Sequence, residues 1–102
     1  KFDVVLAANE ESKLLAYAIA MAAWARFAYA DLESGEGLTN DFRIDKDEKV
    51  LMVDTLVDEA TSFEDMVDLI ASKKAKNVGA VSVVALGDAN PLSENFYPLL
   101  RF

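Results

Sequence analysis

Two short polar segments carry the side chains that could do chemistry, one near the start of the chain and one just past its middle. They contain Asn9, Glu10, Glu11 and Ser12, and then Asp54, Asp58, Glu59, Ala60, Thr61 and Ser62. The chain has no cysteine and no histidine, which removes thiol nucleophiles, thiolate metal sites and the commonest general base. Chemistry at neutral pH must therefore use carboxylates, hydroxyls, lysine, arginine or a bound Mg²⁺.

A cation site is one use for the acidic residues of these segments. Carboxylate oxygens are the ligands that Mg²⁺ and Ca²⁺ prefer. Four carboxylates could hold such an ion jointly if the two segments close on one another. They are Glu10, Glu11, Asp54 and Asp58.

The overall charge narrows the range of partners. The formal net charge is -8 and the isoelectric point is about 4.3. An acidic surface repels DNA, RNA and anionic lipid, so we expect no nucleic-acid partner.

The longest apolar run, residues 14–25, is shorter than a membrane span, which needs about 20 residues, so we expect no membrane-spanning segment. The chain begins at Lys1 without an initiator Met and shows no signal peptide, so we expect a trimmed N-terminus and a cytoplasmic protein.

Alternating strands and helices must position the two segments. The pattern predicts strands at 2–8, 26–30, 49–55, 78–86 and 96–102, and helices at 13–25 and 61–75. The polar stretch 31–48 predicts a mobile loop with a short strand at 42–44. This order favours a mostly parallel sheet flanked by helices. We expect one α/β domain over residues 1–102, with its ligand past the carboxyl ends of the strands.

The two predicted helices differ in character. The first is apolar on nearly all sides, with Leu14, Ala18 and Met21 along one face. Such a helix needs cover from the sheet and from a second element or a partner subunit, and a homodimer is one way to provide it. The second helix begins at Thr61, which we predict to be the N-cap of a capping box closed by Glu64.

The stretch from Val50 to Asp88 is similar to a known family. It reads VLMVDTLVDEATSFEDMVDLIASKKAKNVGAVSVVALGD. A buried strand ends in an acidic residue, and two apolar residues, a Thr-containing loop, an amphipathic helix and a Val-rich strand follow. This order resembles the nucleotide-site core of the type I phosphoribosyltransferases, and the similarity extends over residues 2–88. Phosphoribosyl pyrophosphate synthetases share the fold, and the spacing of Asp54 and Asp58 is similar to theirs.

The resemblance implies a function and a role for each segment. It implies transfer of a phosphoribosyl group from phosphoribosyl pyrophosphate to a nitrogenous base, in nucleotide metabolism. Asp54 would orient the ribose, residues 58–62 would hold the 5-phosphate, and residues 9–12 would hold the pyrophosphate together with Mg²⁺. The segment 31–44 would close over the site. The family recognises its base with an N-terminal hood, which we expect this chain to lack, so the base is not predicted.

Acidic residues stand where the resemblance implies contacts with phosphate. These positions are Glu10 and Glu11 in the pyrophosphate segment, Asp31 and Glu33 after the second strand, and Asp58 and Glu59 in the 5-phosphate segment. The 5-phosphate segment also has no glycine. At a separation of about 4 Å and an effective dielectric constant near 20, each carboxylate would repel a phosphate charge by about 4 kcal/mol. We therefore expect phosphoribosyl pyrophosphate to bind weakly or not at all.

Two interpretations of the function stay open. In the first, the chain is a divergent phosphoribosyltransferase. In the second, it is a non-catalytic structural or interaction domain that presents an acidic mouth to a basic partner or a cation. A receiver domain is less favoured, because the strand-end lysine that a receiver needs would be Lys76, which lies just beyond a helix. A purely structural role is also available to Asp58 and Glu59, since acids before a helix complement its dipole.

Overall fold

The computed structural model describes residues 2–31, 37–38, 42–58, 61, 63–89 and 95–102. Its strands are β1 (Val4–Ala7), β2 (Arg26–Asp31), β3 (Gly37–Leu38), β4 (Lys49–Val53), β5 (Leu56–Val57), β6 (Lys76–Ala85) and β7 (Phe96–Arg101). A 3-10 turn (Glu10–Ser12) leads into helix α1 (Lys13–Ala23), and helix α2 (Glu64–Ser72) precedes β6. In the part of the chain that the structure describes, no helix has the length and apolar character needed to cross a membrane.

The strands form one sheet in the order β3-β2-β1-β4-β6-β5, with β7 also paired with β6. Every pair is parallel except β2 with β3. The strand order reverses at β1, which has β2 on one side and β4 on the other. Ligands of such sheets bind at this kind of reversal, outside the carboxyl ends of the strands. The mostly parallel α/β sheet predicted from the sequence is confirmed.

The side chains of β1 alternate between two cores, because successive residues of a strand point to opposite faces. Val4 and Leu6 lie in the core on the α2 side, and Val5 and Ala7 lie in the core on the α1 side. The core on the α2 side also contains Phe63, directly before α2, and Met66 and Ile70 of α2. The core on the α1 side contains Ala16 and Ala20 of α1. Both faces of β1 are thus covered, which explains its continuous apolar run.

Two predicted strands differ clearly from those observed, and the bounds of the others shift by one or two residues. No strand forms at residues 42–44, where Ile44 is buried in the α2-side core from an irregular segment. The strand predicted to reach Thr55 ends at Val53, and β5 follows separately. The interruption arises because the backbone N–H of Thr55 donates to the hydroxyl of Ser12, at 3.0 Å, instead of to a neighbouring strand.

Both helices end earlier than the sequence pattern predicts. Each is followed within two residues by a non-glycine residue in the left-handed region, Trp24 after α1 and Lys74 after α2, both with a φ of 58°. The backbone N–H of Trp24 bonds back to the carbonyls of Ala20 and Met21. A left-handed residue is a common way to end a helix, but the usual sequence signal is glycine or asparagine. Neither signal is present here, so the pattern overestimates the helix length.

An ion pair connects β2 with the residue before β4 at the amino-terminal edge of the sheet. Arg26, the first residue of β2, donates two hydrogen bonds to Glu48, the residue before β4, one of them from Nη1 to Oε2 at 2.8 Å. The Arg26 hydrogen bond is the largest cause that lowers the pKa of the Glu48 carboxyl. Asp3 connects the same strands, because its carboxylate accepts from the N–H of Lys49 and its carbonyl accepts from the N–H of Arg26, both at 2.9 Å.

Candidate functional site

The segments after β1 and β4 meet at the carboxyl-terminal edge of the sheet. The two strands are adjacent and parallel, with Ala7 opposite Val53. The N–H of Ala8 donates to the carbonyl of Val53 at 2.8 Å. Because both strands stop at this point, the segments that follow them leave the sheet side by side, although Asn9 and Asp54 are 45 positions apart in the sequence.

Ser12 connects the two segments from a fully buried position, with 0% of its surface exposed. Its hydroxyl lies 2.7 Å from Oδ1 of Asn9 and 3.4 Å from Oδ1 of Asp54. It has one proton to donate, and the shorter distance favours Asn9 as its acceptor. The same hydroxyl accepts from the N–H of Thr55, and Nδ2 of Asn9 donates to Asp54 at 3.3 Å. The structure therefore brings together three of the predicted site residues: Asn9, Ser12 and Asp54.

Asp54 is the nearly buried carboxyl of this edge, with 8% of its surface exposed. Burial is the largest cause that raises its pKa, and the charge of Glu11 adds to the rise. Hydrogen bonds from Asn9, from the backbone of Leu56 and from Ser12 act in the opposite direction. All three are neutral groups, so among the described residues no cation is a main cause of the Asp54 pKa shift.

The other acidic residues of the predicted site that the structure describes are in contact with solvent. Glu10, Glu11 and Asp58 are exposed, whereas Asp54 is buried and accepts a hydrogen bond from Asn9. Within the described ranges, no three carboxylates are close enough together to hold a metal ion. The four carboxylates that we expected to hold a cation jointly are therefore not gathered into such a group in the described part of the chain. Glu33 and Glu59, which we placed in the same acidic mouth, lie outside the described residues.

The predicted 5-phosphate segment is described only at Asp58 and Thr61. The Thr61 hydroxyl donates to Oδ1 of Asp58 at 3.1 Å and accepts from the Asp58 N–H at 3.0 Å. The N-cap of α2 is Phe63, which makes no side-chain capping bond. The capping box predicted at Thr61 is therefore wrong, because its hydroxyl is used in a turn with Asp58 before the helix begins. Three predicted phosphate-binding residues lie outside the described part of the chain: Glu59, Ala60 and Ser62.

Lys13 is a cation at this edge that sequence reasoning did not single out. Its ammonium group lies 4.2 Å from the centre of the Tyr29 ring and 3.6 Å from Oε1 of Glu10. Lys13 is the first residue of α1, and Tyr29 lies on β2 opposite Ala7. The available signal was the position of a lysine directly after the first polar segment.

A second cation, Arg101, stabilises the turn that follows β6 through hydrogen bonds. Its Nη1 donates to the carbonyls of Gly87 and Ala89, at 2.9 and 3.0 Å. Because β7 runs parallel to β6, Arg101 reaches the same edge of the sheet as the segments after β1 and β4. Its bonds to two backbone carbonyls give it a structural role there.

Solved structures to which this chain is similar include several phosphoribosyltransferases. Adenine phosphoribosyltransferase from Thermoanaerobacter pseudethanolicus is similar to this chain with a TM-score of 0.80 and 15% identity, over 100% of this chain and 72% of that one. Orotate phosphoribosyltransferase from Aeropyrum pernix has a TM-score of 0.77 and 14% identity, over 98% and 59%. Adenine phosphoribosyltransferase from Trypanosoma brucei, solved with AMP, pyrophosphate and ribose-5-phosphate, has a TM-score of 0.72 and 16% identity, over 98% and 56%.

These structures are similar to this chain in backbone fold, and few of their residues are identical to it. No family model matches the chain, and no curated protein matches it. At identities of 14–16% the three enzymes show the fold alone. The resemblance inferred from the order of strands and helices is thus confirmed as a phosphoribosyltransferase-like fold.

Proposed function

We propose, on the premise of this phosphoribosyltransferase-like fold, that the carboxyl-terminal edge of β1 and β4 binds a phosphoribosyl group. In this proposal the chain is a divergent domain of nucleotide metabolism that transfers the group from phosphoribosyl pyrophosphate to a nitrogenous base, with release of pyrophosphate. The observation that carries it is the contact of Asn9 and Ser12 with Asp54. That contact joins the segment assigned to pyrophosphate with the segment assigned to ribose.

Asp54 has the acceptor capacity that the proposal requires. An ionised carboxylate offers about four acceptor positions. Hydrogen bonds from Asn9 and the backbone of Leu56 use about two of them, and the Ser12 proton is directed to Asn9, so about two are left for ribose hydroxyls. The same bonds hold the carboxylate in a fixed orientation before the ligand arrives, which lowers the cost of ordering it on binding.

We assign the anionic part of the ligand to Lys13. A pyrophosphate at the start of α1 would compete with Glu10 for the Lys13 ammonium group, which lies beside both Glu10 and Tyr29. The start of a helix also favours anions through its dipole, although the N–H of Lys13 already donates to the carbonyl of Glu10. The exposed carboxylates of Glu10 and Glu11 oppose the same anion, so the proposed affinity depends on a counter-charge brought with the ligand.

Mg²⁺ would supply that counter-charge. Proteins commonly hold Mg²⁺ through one or two carboxylates together with substrate phosphates. The described residues form no group of three carboxylates, but Glu10 and Glu11 are exposed beside Lys13 and fit the smaller requirement. When bound there, Mg²⁺ would neutralise part of the charge of the pyrophosphate. Removal of Mg²⁺ with a chelator should therefore weaken binding more than an equal change in ionic strength.

Calorimetric titration with phosphoribosyl pyrophosphate and Mg²⁺ tests the proposal. The proposal requires micromolar binding by the unmodified chain in the presence of Mg²⁺, whereas the acidic residues without a counter-charge predict weak or absent binding. Asp54→Asn keeps the size of the side chain and removes its charge, and should weaken binding at least tenfold. Lys13→Met removes the cation and should weaken it by a similar factor. Millimolar or absent binding by the unmodified chain would sink the transferase proposal.

A matched control lies at the opposite edge of the sheet. Glu48→Gln alters a partly buried carboxylate of the amino-terminal edge, away from the proposed phosphoribosyl site, and should leave the affinity within twofold. Circular dichroism should show that each variant is folded. If Glu48→Gln weakened binding as much as Asp54→Asn, the effect would reflect general stability and not a site at Asp54.

The alternative, a non-catalytic interaction domain, is favoured by the environment of Asp54. Asn9 and Ser12 already contact its carboxyl, and Glu10, Glu11 and Asp58 present exposed carboxylates around the same edge. Titration with a lysine-rich peptide tests this alternative. Salt-sensitive binding of the peptide, lost in Glu10→Gln with Glu11→Gln, would support it, provided that phosphoribosyl pyrophosphate does not bind. Failure of the peptide to bind would contradict it.

A further inference from the structure

The amino-terminal edge of the sheet is basic, although the chain as a whole is strongly acidic. Seven of the ten lysines and arginines of the chain lie at this edge, at the first residue of a strand or in the segments before β4 and β6. They are Arg26, Arg43, Lys46, Lys49, Lys73, Lys74 and Lys76. The described carboxylates of the same edge are Asp3, Asp45, Asp47 and Glu48. Seven cations and four carboxylates give this basic edge a formal charge of +3, so the rest of the chain, whose total is -8, carries -11.

The five lysines of the basic edge form no ion pair within the described part of the chain, whereas its two arginines do. Arg26 is paired with Glu48. Arg43 is paired with Asp45, whose Oδ2 lies 3.0 Å from the arginine Nε. All five lysines are exposed, and no described carboxylate lies within ion-pair distance of their ammonium groups. The arginines thus serve the fold, and the charge of the lysines is available to a partner.

The backbone holds these lysines close to one another. Lys49 and Lys76 are opposite each other, as the first residues of the neighbouring parallel strands β4 and β6. The N–H of Lys76 donates to the carbonyl of Glu48 at 2.8 Å, and the N–H of Asp47 donates to the carbonyl of Lys74 at 2.9 Å. Neighbouring strands are about 4.8 Å apart. The two strand lysines therefore repel one another, and a bound anionic group would relieve that repulsion.

An exposed aromatic side chain lies at the same edge. Trp24 follows α1, stands two positions before the first residue of β2, and is 98% exposed. Asp3 connects this turn with the start of β4, because its carbonyl accepts from the N–H of Arg26 and its carboxylate accepts from the N–H of Lys49. Tryptophan is enriched among the residues that dominate the binding energy of protein interfaces. The basic edge thus offers one large apolar side chain together with unpaired cations.

We infer that the basic edge binds an acidic segment of a partner protein, in which aspartates and glutamates contact the lysines and an apolar side chain packs on Trp24. The inference is independent of the proposed function, which concerns the opposite edge of the sheet. Complementary charge across an interface speeds association and selects the partner. A nucleic acid or an anionic membrane fits less well, because each is an extended polyanion that the charge of -11 on the rest of the chain repels. A short acidic segment contacts the basic edge alone.

Trp24 provides a direct probe of this interface, because it is the one tryptophan of the chain. We would titrate the protein with a synthetic peptide of about ten residues, glutamates around a central phenylalanine, and follow the tryptophan emission. We expect saturable binding with a dissociation constant of tens of micromolar at low salt. The emission maximum should move to shorter wavelength, because the indole leaves water. The dissociation constant should rise at least fivefold between about 50 mM and about 200 mM salt, since exposed charges are screened.

Substitutions of exposed lysines test the interface without disturbing the core. Lys49→Gln combined with Lys76→Gln should raise the dissociation constant at least tenfold. Lys49→Arg combined with Lys76→Arg keeps both charges and should leave the constant within twofold. Lys13→Gln removes a cation at the opposite edge and should also leave it within twofold. In thermal unfolding, the double glutamine variant should be no less stable than the unmodified chain, because the repulsion between the two strand lysines is removed.

Several results would overturn the inference. One is the absence of peptide binding at low salt. Another is binding that persists in the double glutamine variant, or that is lost equally in Lys13→Gln. A third is equal binding of a peptide with lysines around the same phenylalanine, since Trp24 would then bind any apolar group. Tighter binding of a single-stranded DNA oligonucleotide than of the acidic peptide would also overturn it, because the partner would then be a nucleic acid.

Discussion

The two edges of the sheet each hold a carboxyl group that is largely withdrawn from water, and the protein surrounds them in opposite ways. At the amino-terminal edge, Glu48 is paired with Arg26, and its pKa is lowered chiefly by that hydrogen bond. At the carboxyl-terminal edge, Asp54 is surrounded by Asn9 and Ser12, and its pKa is raised chiefly by burial. The charge of Glu48 is thus balanced by an arginine, whereas the main hydrogen-bond partners of Asp54 are neutral.

The two environments suit the two carboxylates to different roles, one in stability and the other in binding. A carboxylate paired with arginine contributes to stability and has little capacity left for a ligand. A buried carboxylate held only by neutral donors costs folding free energy when it is ionised and keeps an acceptor position for another group. Perturbed groups of the second kind concentrate at functional sites. The comparison therefore indicates a structural role for the pair at Glu48 and supports the ligand site proposed at Asp54.

The largest effect on stability should come from Ser12→Ala. The substitution leaves the N–H of Thr55 without its acceptor and removes a partner from Asn9, in a position that is fully buried. Since each unsatisfied buried polar group costs about 1–3 kcal/mol, we expect the free energy of unfolding to fall by about 2–4 kcal/mol in urea denaturation. Ser72→Ala, at an exposed serine whose hydroxyl donates to the carbonyl of Leu69, should change it by less than about 0.5 kcal/mol. Equal losses in the two variants would contradict a special role for Ser12.

A double-mutant cycle on Arg26 and Glu48 should show the next largest effect. The variants Arg26→Met and Glu48→Gln, alone and combined, isolate the energy of their interaction. Because the pair forms two hydrogen bonds and is partly exposed, we expect a coupling of about 1–2 kcal/mol. A coupling near zero would mean that the amino-terminal edge is not held by this pair, and the comparison of the two edges would break.

The pH dependence of stability should have opposite sign at the two carboxyls. The lowered pKa of Glu48 contributes stability that is present above the ordinary pKa and is lost as the pH falls through the lowered value. The raised pKa of Asp54 contributes stability that is present below the ordinary pKa and is lost as the pH rises through the raised value. Between about pH 3 and about pH 7, Glu48→Gln should therefore become more destabilising with rising pH, whereas Asp54→Asn should become less destabilising or stabilising. Thermal melting across this range measures both trends, and parallel trends would be inconsistent with them.

Glu11→Gln should have the smallest effect on stability, and it tests one cause of the raised pKa of Asp54. The charge of Glu11 is one cause of the raised pKa of Asp54, so its removal should lower that pKa, as followed by NMR titration of the Asp54 carboxyl. Because Glu11 is exposed, the free energy of unfolding should change by less than about 0.5 kcal/mol. Asp65→Asn, at an exposed site on α2, should leave the Asp54 pKa unchanged. A similar shift in both variants would indicate a general effect of net charge.

The apolar pattern of α1 shows a limit of sequence reasoning. Leu14, Ala18 and Met21 were predicted to line one face, and they do. The face that packs on the sheet is the opposite one, through Ala16 and Ala20. A helix that is apolar all round gives no contrast by which its buried side can be identified, and alanine matters here because it lets the helix approach the strands closely.

The site shows the same limit in another form. Sequence order was sufficient to place Asn9, Ser12 and Asp54 at strand ends of one sheet edge, because parallel strands bring their carboxyl ends together. It could not show that the buried hydroxyl of Ser12 bonds both segments, since a serine in a polar turn is ordinarily exposed. Nor could it place Thr61, whose hydroxyl has several local acceptors to choose from.

The sequence by itself determined the alternation of strands and helices, the mostly parallel sheet and the polar character of its carboxyl-terminal edge. Those features follow from local periodicity and from the one way in which such units pack. Only the tertiary structure decided which carboxyl is buried, which is paired, and which face of α1 meets water. Glu48 and Asp54 look alike as acidic residues beside an apolar run. Their pKa values move in opposite directions because Arg26 lies next to one, while neutral side chains and burial surround the other.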